Sequence, residues 1–345
     1  MGFFAGVDLG KRKSQITVLT ADRKVVENIK IDNDPKTFVR LFEKYKGDID
    51  VVCEASSNAF WLVDLLEPVV RSIQVGHTSK IRWIAEAKVK TDKLDAGILA
   101  ELRRVDLFPV IGIPPKRTRE LRELVRGIIR MKRQAVRCRN QVHGLLGRHG
   151  VAYKRAETSG SRLRELVLEA KLPSPARIAA ESVLRVERAI QEEVKHLGAA
   201  LREEVRGEPE LLKTVELLES IPGVGFFSAA LLVLELWDID RFRDEAHLAG
   251  YIGLVPSTHQ TGQTMWHGRM TRRGNVLVRW VLVQDAWSSI QDDSFFRRRY
   301  DYYKAKKGGP RAIIPVARAL LATIHRVWTE KKTYDELFGK KTLVG

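Results

Sequence analysis

Cysteine is almost absent from this chain: Cys53 and Cys138 are the two among 345 residues. Far apart in sequence, they offer neither a disulfide framework nor the paired spacing of a zinc site, and they suit a reducing compartment. Long apolar runs are missing as well. Nothing approaches the roughly 18 consecutive apolar residues that a membrane span requires, and no basic-then-apolar leader opens the sequence. The expectation is a soluble, cytoplasmic protein with no membrane partner. Repeats and low-complexity tracts are lacking too. Acidic residues are in short supply: 43 Asp and Glu stand against 60 Lys and Arg, a formal net charge of +17. That imbalance is the electrostatic footprint of a protein that neutralises phosphates. The length allows two or three domains with cores of their own.

The acids that matter are placed in a pattern. Phe3-Phe4-Ala5-Gly6-Val7 leads into Asp8, and Asp50-Val51-Val52-Cys53 leads into Glu54, each a short apolar run that reads as a strand. Asp92 and Asp95 are spaced i, i+3, so a helix opening at Asp92 would turn both carboxylates to one side. Any one of these alone reads more readily as a helix cap or a solvated charge. Together they carry too much negative charge to share a site unless something neutralises it. Mg²⁺ suits such a set, because it is a hard cation that prefers carboxylate oxygens and keeps positions open for phosphate oxygens. Two such ions would clamp the attacking and leaving oxygens of a phosphodiester. An acidic cluster inside a basic chain is the charge plan of a metal-dependent nuclease or recombinase.

Organisation follows from periodicity. Phe3 to Leu9, Gln15 to Thr20 and Lys24 to Ile31 predict a three-strand meander. A helix from Asp34 to Tyr45, the strand ending at Glu54, a helix near Trp61 to Val69, a strand from Ile73 to His77 and a helix from Asp92 to Val105 follow. This order predicts an α/β domain over 1–110 with a mixed sheet of the ribonuclease-H type. Lys116 to Tyr153 and Ser174 to Arg206 read as two long helices, an antiparallel arm over 111–208. On the first of them Arg119, Arg122, Arg126, Arg130, Arg133 and Arg137 recur every three or four residues, a cationic ridge expected to meet a nucleic-acid backbone. Residues 209–345 form a third, mostly helical unit. Its entry, Ile221-Pro222-Gly223-Val224-Gly225 between two apolar helices, reads as a helix-hairpin-helix in which Gly223 and Gly225 let backbone N–H groups approach phosphates. Farther on, Ser257 to Thr264 reads as a polar, hydroxyl-rich loop, followed by Arg269, Arg272 and Arg273 and an apolar helix from Val276 to Trp287. Such a loop could house a nucleophile whose phosphate adduct the guanidinium groups hold.

Taken together these segments resemble the DEDD-type transposases of bacterial insertion sequences, a group that includes the pilin-gene invertases. The resemblance rests on Gly6-Val7-Asp8, Cys53-Glu54-Ala55 and Lys90-Thr91-Asp92 with Asp95-Ala96, then on Glu219 to Gly225, Ala249 to Pro256 and Gly268 to Asn275. It implies a Holliday-junction-resolvase-like domain, a coiled-coil arm and a helical transposase domain. It further implies Mg²⁺ on Asp8, Glu54, Asp92 and Asp95, and a covalent link between DNA and a side-chain hydroxyl. A structured guide RNA would pair with target and donor DNA, and tetramers would bring the acids of one subunit to the hydroxyl of another. Where the family has serine, five residues after the proline of its Gly-Leu-x-Pro motif, this chain has Thr261; Ser257 is the alternative nucleophile. A threonine hydroxyl is secondary and its χ1 is stiffer, and a chain disabled for covalent chemistry is a further possibility. Three other readings compete. One is a structure-selective nuclease that activates water, one a sugar-kinase or actin-like ATPase suggested by Gly6 to Gly10, and one a catalytically silent nucleic-acid scaffold.

Overall fold

A computed structural model of the chain describes residues 2–86, 96–154, 160–261, 264–270 and 274–339. The chain divides into two compact units, Met1–Lys116 and Arg117–Gly345. Among the described residues no helix is long and apolar enough to cross a membrane.

The first unit is a mixed α/β sheet. Strands β1 (Phe3–Leu9), β2 (Lys13–Thr20) and β3 (Val25–Asp32) form the expected meander; then come α1 (Pro35–Glu43), β4 (Ile49–Glu54), α2 (Ala59–Leu66), β5 (Ser72–Gly76), α3 (Thr78–Glu86) and α4 (Ala96–Arg104). The five strands lie in the order β3-β2-β1-β4-β5, antiparallel from β3 to β1 and parallel from β1 to β5. Alternation sorts side chains onto two faces. Ala5, Val7, Val51 and Cys53 bury against Phe38 and Phe42 of α1 and Leu62 and Leu66 of α2. On the other face Val52 packs with Leu99 and Leu102 of α4, Ile81 and Phe108. Helix α1 starts where Asp34 accepts hydrogen bonds from the Thr37 backbone N–H and hydroxyl, both at 2.8 Å, with Pro35 in the first turn. Helix α3 was not expected from the sequence, and Asp92 and Asp95 lie outside the described residues.

The second unit is helical apart from one hairpin. It comprises α5 (Lys116–Arg148), α6 (Ser161–Glu169), α7 (Ser174–Arg206), α8 (Pro209–Glu219), α9 (Phe226–Leu236) and α10 (Glu245–Ile252). These are followed by β6 (Pro256–Thr261), β7 (Thr264–Met270), α11 (Val276–Asp292), α12 (Ser294–Lys307), α13 (Gly309–Glu330) and α14 (Tyr334–Phe338). Helices α5 and α7, each 33 residues and so about 50 Å long, run antiparallel. Arg117 pairs with Glu204 and Glu208 at one end, and Arg139 with Glu187 nearer the other. The near ends of the arm are rooted in the main core through Leu121, Val125, Leu201 and Val205. Its far end holds a separate apolar cluster built from Val142, Leu146, Leu163, Val167, Ala180 and Leu184. Glu187, almost wholly buried, ties this tip together by accepting from Arg139 at 2.9 Å and Gln191 at 3.1 Å.

Helix α9 is apolar all round, as its central place requires, and α8 and α11 pack against it. Where α9 meets α11, Ser228 donates to Asp285 Oδ1 at 2.6 Å, while Asp285 Oδ2 is buried with no hydrogen-bond partner. Burial pushes the Asp285 carboxyl up to about 7, against a smaller lowering by the Ser228 hydrogen bond. The folded protein therefore holds a proton that the unfolded chain has lost between about pH 4 and pH 7, so stability falls as pH rises through that window. The effect is of order 4 kcal/mol for a shift this large at a buried site. Asp285→Asn keeps an acceptor for Ser228 and removes the titration. Its melting temperature should gain on the wild type as pH rises from 4 to 7.5, and equal pH slopes for the two proteins would contradict this.

Candidate active site

Two of the four acids converge in the described structure. Strand β1 runs parallel to β4 with Val7 beside Cys53, which sets Asp8 and Glu54 next to each other at the ends of neighbouring strands. Both point to the α4 face, because Val7 and Cys53 are buried on the opposite one. Asp8 is exposed and Glu54 half-buried, so both carboxylates are reachable from solvent. Cys53 is no competing nucleophile, since burial, with a further contribution from the Glu54 charge, pushes its thiol up to about 12.

The direction of α4 matters next. Its last turn lies at the start of β4, where Arg103 donates to Asp50 at 3.1 Å; Leu99 and Leu102 then pack on Val52. The start of the helix, Ala96, therefore faces the end of the sheet that carries Asp8 and Glu54. Gly6 sets how close it comes. A Cβ on Gly6 would stand 2.0 Å from the Ala96 carbonyl oxygen and 2.6 Å from the Ala100 nitrogen. Only the bare backbone of glycine admits the helix at this depth. Asp95, the residue before Ala96 in sequence, lies outside the described residues. The rim beyond Asp8 is fixed by amides that the sequence reading missed. Asn33 and Asn58 both donate to the Gly10 carbonyl, at 2.9 and 3.1 Å.

In the second unit Ser257 and Thr261 fall on β6 and Arg269 on β7, a two-stranded antiparallel hairpin. The expected polar loop is corrected to this hairpin. Two residues, Gly262-Gln263, separate the paired Thr261 and Thr264, a Gly-x connection that marks a tight hairpin even where the strands are polar. Thr261 closes the register at the tip, whereas Ser257 sits at the register shift between Pro256 and Thr258. Arg272 and Arg273 lie outside the described residues. Just after them the chain is pinned. Gly274, at φ +100, has no room for a Cβ beside the Tyr251 carbonyl, and Asn275 caps α11 by accepting from the Leu277 and Val278 N–H groups.

Asn275 also donates to Glu235 Oε2 at 3.0 Å, and Arg126 holds the same carboxylate with two bonds of 2.8 and 3.1 Å. Burial of Glu235 would raise its pKa. Arg126 with Arg122 and Asn275 outweighs that and holds the carboxyl below its ordinary value. Arg122 is buried and donates to the Leu234 and Glu235 carbonyls at the end of α9, at 2.7 and 3.1 Å. The continuous cationic ridge is thus corrected. Arg122 and Arg126 are committed inward and Arg119 is half-buried, while Arg130, Arg133 and Arg137 are exposed. The glycines of the α8–α9 connection divide as well. Gly223, at φ +83, is backed by Ser289, whose N a Cβ would meet at 2.3 Å, and Gly225 borders open space.

Residues 5–150 match the DEDD transposase family of the IS110 type, and residues 215–301 match the family described as Transposase IS116/IS110/IS902. The chain belongs to the IS110/IS116 transposase family. The two matches cover about two thirds of its length and take in both regions just described, the sheet with Asp8 and Glu54 and the hairpin with Thr261. Similar proteins agree. The transposase for insertion sequence element IS1111A of Coxiella burnetii is 26% identical over 71% of this chain and 68% of its own length. An insertion element IS110 protein of Streptomyces coelicolor is 23% identical over 97% of this chain and 96% of its own. The pilin gene-inverting protein of Moraxella bovis is 29% identical over 37% of this chain and 41% of its own. As an IS110/IS116-type transposase the chain is an enzyme of DNA recombination, and DNA is its substrate. Among the described residues no group of three or more His, Cys, Asp or Glu side chains is arranged to hold a metal. The donor chemistry does fit a hard divalent cation, for Asp8 and Glu54 are adjacent oxygen ligands on one open face.

Proposed function

We propose that this transposase cuts and rejoins DNA through a covalent protein–DNA intermediate, using Asp8, Glu54, Asp92 and Asp95 as ligands of Mg²⁺ in a ribonuclease-H-type site. The observation that carries the reading is the convergence of Asp8, Glu54 and the start of α4 at one end of the sheet. Asp95 directly precedes Ala96 in sequence, and Asp92 lies three residues earlier. Mg²⁺ bound to these oxygens would polarise the scissile phosphate. The chain's own groups do the rest. The Thr261 oxygen attacks phosphorus, the bond to the DNA 3′ oxygen breaks, and the hydroxyl proton ends on the departing 3′ oxygen. A 3′ hydroxyl of the other strand then attacks the phosphothreonyl bond and releases Thr261, so the backbone is resealed without an external energy source. Arg269, Arg272 and Arg273 hold phosphate beside this hairpin.

The reading includes a structured guide RNA that pairs with target and donor DNA, and a dimer or tetramer assembled through the arm, in the cytoplasm. The ribonuclease-H-like domain would span 1–110, the coiled-coil arm 111–208 and the helical transposase domain 209–345. In that last domain the α8–α9 connection would act as a helix-hairpin-helix contacting phosphate through Gly225.

A denaturing gel of the reaction with end-labelled DNA tests the chemistry. The wild type should yield a protein–DNA adduct that survives denaturation, which a water-activating nuclease does not form. Thr261→Ala should lower adduct formation by on the order of 10³-fold, and Ser257→Ala should leave it near the wild-type level. Adducts retained by Thr261→Ala and lost by Ser257→Ala would move the nucleophile to Ser257.

A further inference from the structure

Outside the sites above, the second unit carries an open cavity of about 380 Å³ lined by α5, α7 and the first turn of α9. Its charged lining is of one sign: Lys132, Lys195 and Arg202 border it, and no carboxylate does. Two of these cations are held in place by aromatic rings. The Lys132 ammonium lies 4.0 Å from the Phe227 centroid and the Arg202 guanidinium 4.1 Å from that of Phe226. Burial lowers the Lys132 pKa, and no neighbouring carboxylate offsets it. Arg202 has one acid near it, Glu219, whose own carboxyl is raised by burial in spite of that guanidinium. Three exposed cations that border one open volume, with no carboxylate lining it, make a site that favours an anion.

The rest of the cavity says which anion. Ile128, Val194 and Leu201 give it an apolar wall, which a bare inorganic ion would leave unused and a sugar or base would cover. Helix α9 opens at its edge with no side-chain cap, and the Gly225 that precedes the helix borders open space. The first N–H groups of the helix thus add to the positive field beside the cations. A volume of this size takes one nucleotide and is too small for a duplex about 20 Å across. We propose that the cavity seats a backbone phosphate and sugar of one unpaired DNA strand, held by Lys132, Lys195 and Arg202. This rests on the reading that the transposase opens DNA during strand exchange. The cavity would then retain a displaced strand while another part of the enzyme acts on it.

The test is fluorescence anisotropy with the full chain in EDTA, so that binding is read without cleavage. The probes are a labelled single-stranded DNA, the same sequence as duplex, and the same sequence as RNA. Lys132→Gln/Lys195→Gln should raise the Kd for single-stranded DNA by about tenfold near physiological salt. It should also flatten the slope of log K against log salt by about 0.7 per lost cation. The charge-matched Lys24→Gln/Lys30→Gln, both exposed in the first unit, should shift Kd by less than about twofold. Lys132→Arg should bind like the wild type, which separates lost charge from lost folding. Equal weakening by both Gln pairs, or loss confined to duplex or to RNA, would overturn the proposal. Such a failure leaves the acid-site reading untouched, because that reading is judged by strand transfer in Asp8→Asn and not by these affinities.

Discussion

Asp8→Asn and Glu54→Gln should each lower strand transfer by a factor of about 10³, equivalent to about 4 kcal/mol of transition-state stabilisation. The size follows from the geometry. The two carboxylates are neighbours on one face at the ends of parallel strands, so removing either would leave the proposed cation site with one of its two described oxygen donors. Asp8 is exposed and Glu54 half-buried, so neither substitution opens a cavity in the core, and both variants should fold in EDTA. Full-length protein with metal titration makes the check. Asp8→Cys should regain activity with Mn²⁺ better than with Mg²⁺, since a thiolate suits the softer ion. Strand transfer above about a tenth of the wild-type rate in Asp8→Asn would remove this residue from the site.

The second large effect comes from a residue with no side chain at all. Gly6→Ala adds one methyl group, yet that carbon would stand 2.0 Å from the Ala96 carbonyl oxygen and 2.8 Å from the Leu99 Cβ. Backbone cannot rotate aside as a flexible side chain can, so α4 must lift off the sheet. The cost should reach about 3 kcal/mol, the upper end for overpacking. Activity should fall further than stability, because the segment carrying Asp95 moves with the helix start. Gly127→Ala in α5 is the control; the nearest atom to its Cβ is the Arg130 guanidinium at 3.8 Å. It should stabilise by up to about 1 kcal/mol through helix propensity alone. Urea unfolding followed by tryptophan fluorescence, beside strand transfer at a temperature where Gly6→Ala is folded, separates the two effects. A Gly6→Ala protein as stable and active as the wild type would mean that α4 does not fix the acid site.

The first unit was legible because its signals are local. The runs that end at Asp8 and Glu54 are short, continuous and apolar, and the three-strand meander falls within a few residues of its predicted bounds. What escaped depends on partners distant in the chain. Arg122 and Arg126 share the three-to-four-residue spacing of Arg130, Arg133 and Arg137. Their inward commitment depends on Glu235, which lies 109 residues from Arg126 and is hidden in an apolar helix. The role of Asn275 has the same origin, 40 residues from that carboxylate. The hairpin at Pro256–Met270 was missed for another reason. Its composition is polar, and the Gly-x pair between two threonines was outweighed by the absence of an apolar stripe.

One buried carboxylate holds both Arg126, on the long arm, and Asn275, at the exit of the threonine-bearing hairpin. Glu235 therefore joins the root of α5 to the cap of α11, and a change in how α5 is seated there is met by the same two oxygens that hold Asn275.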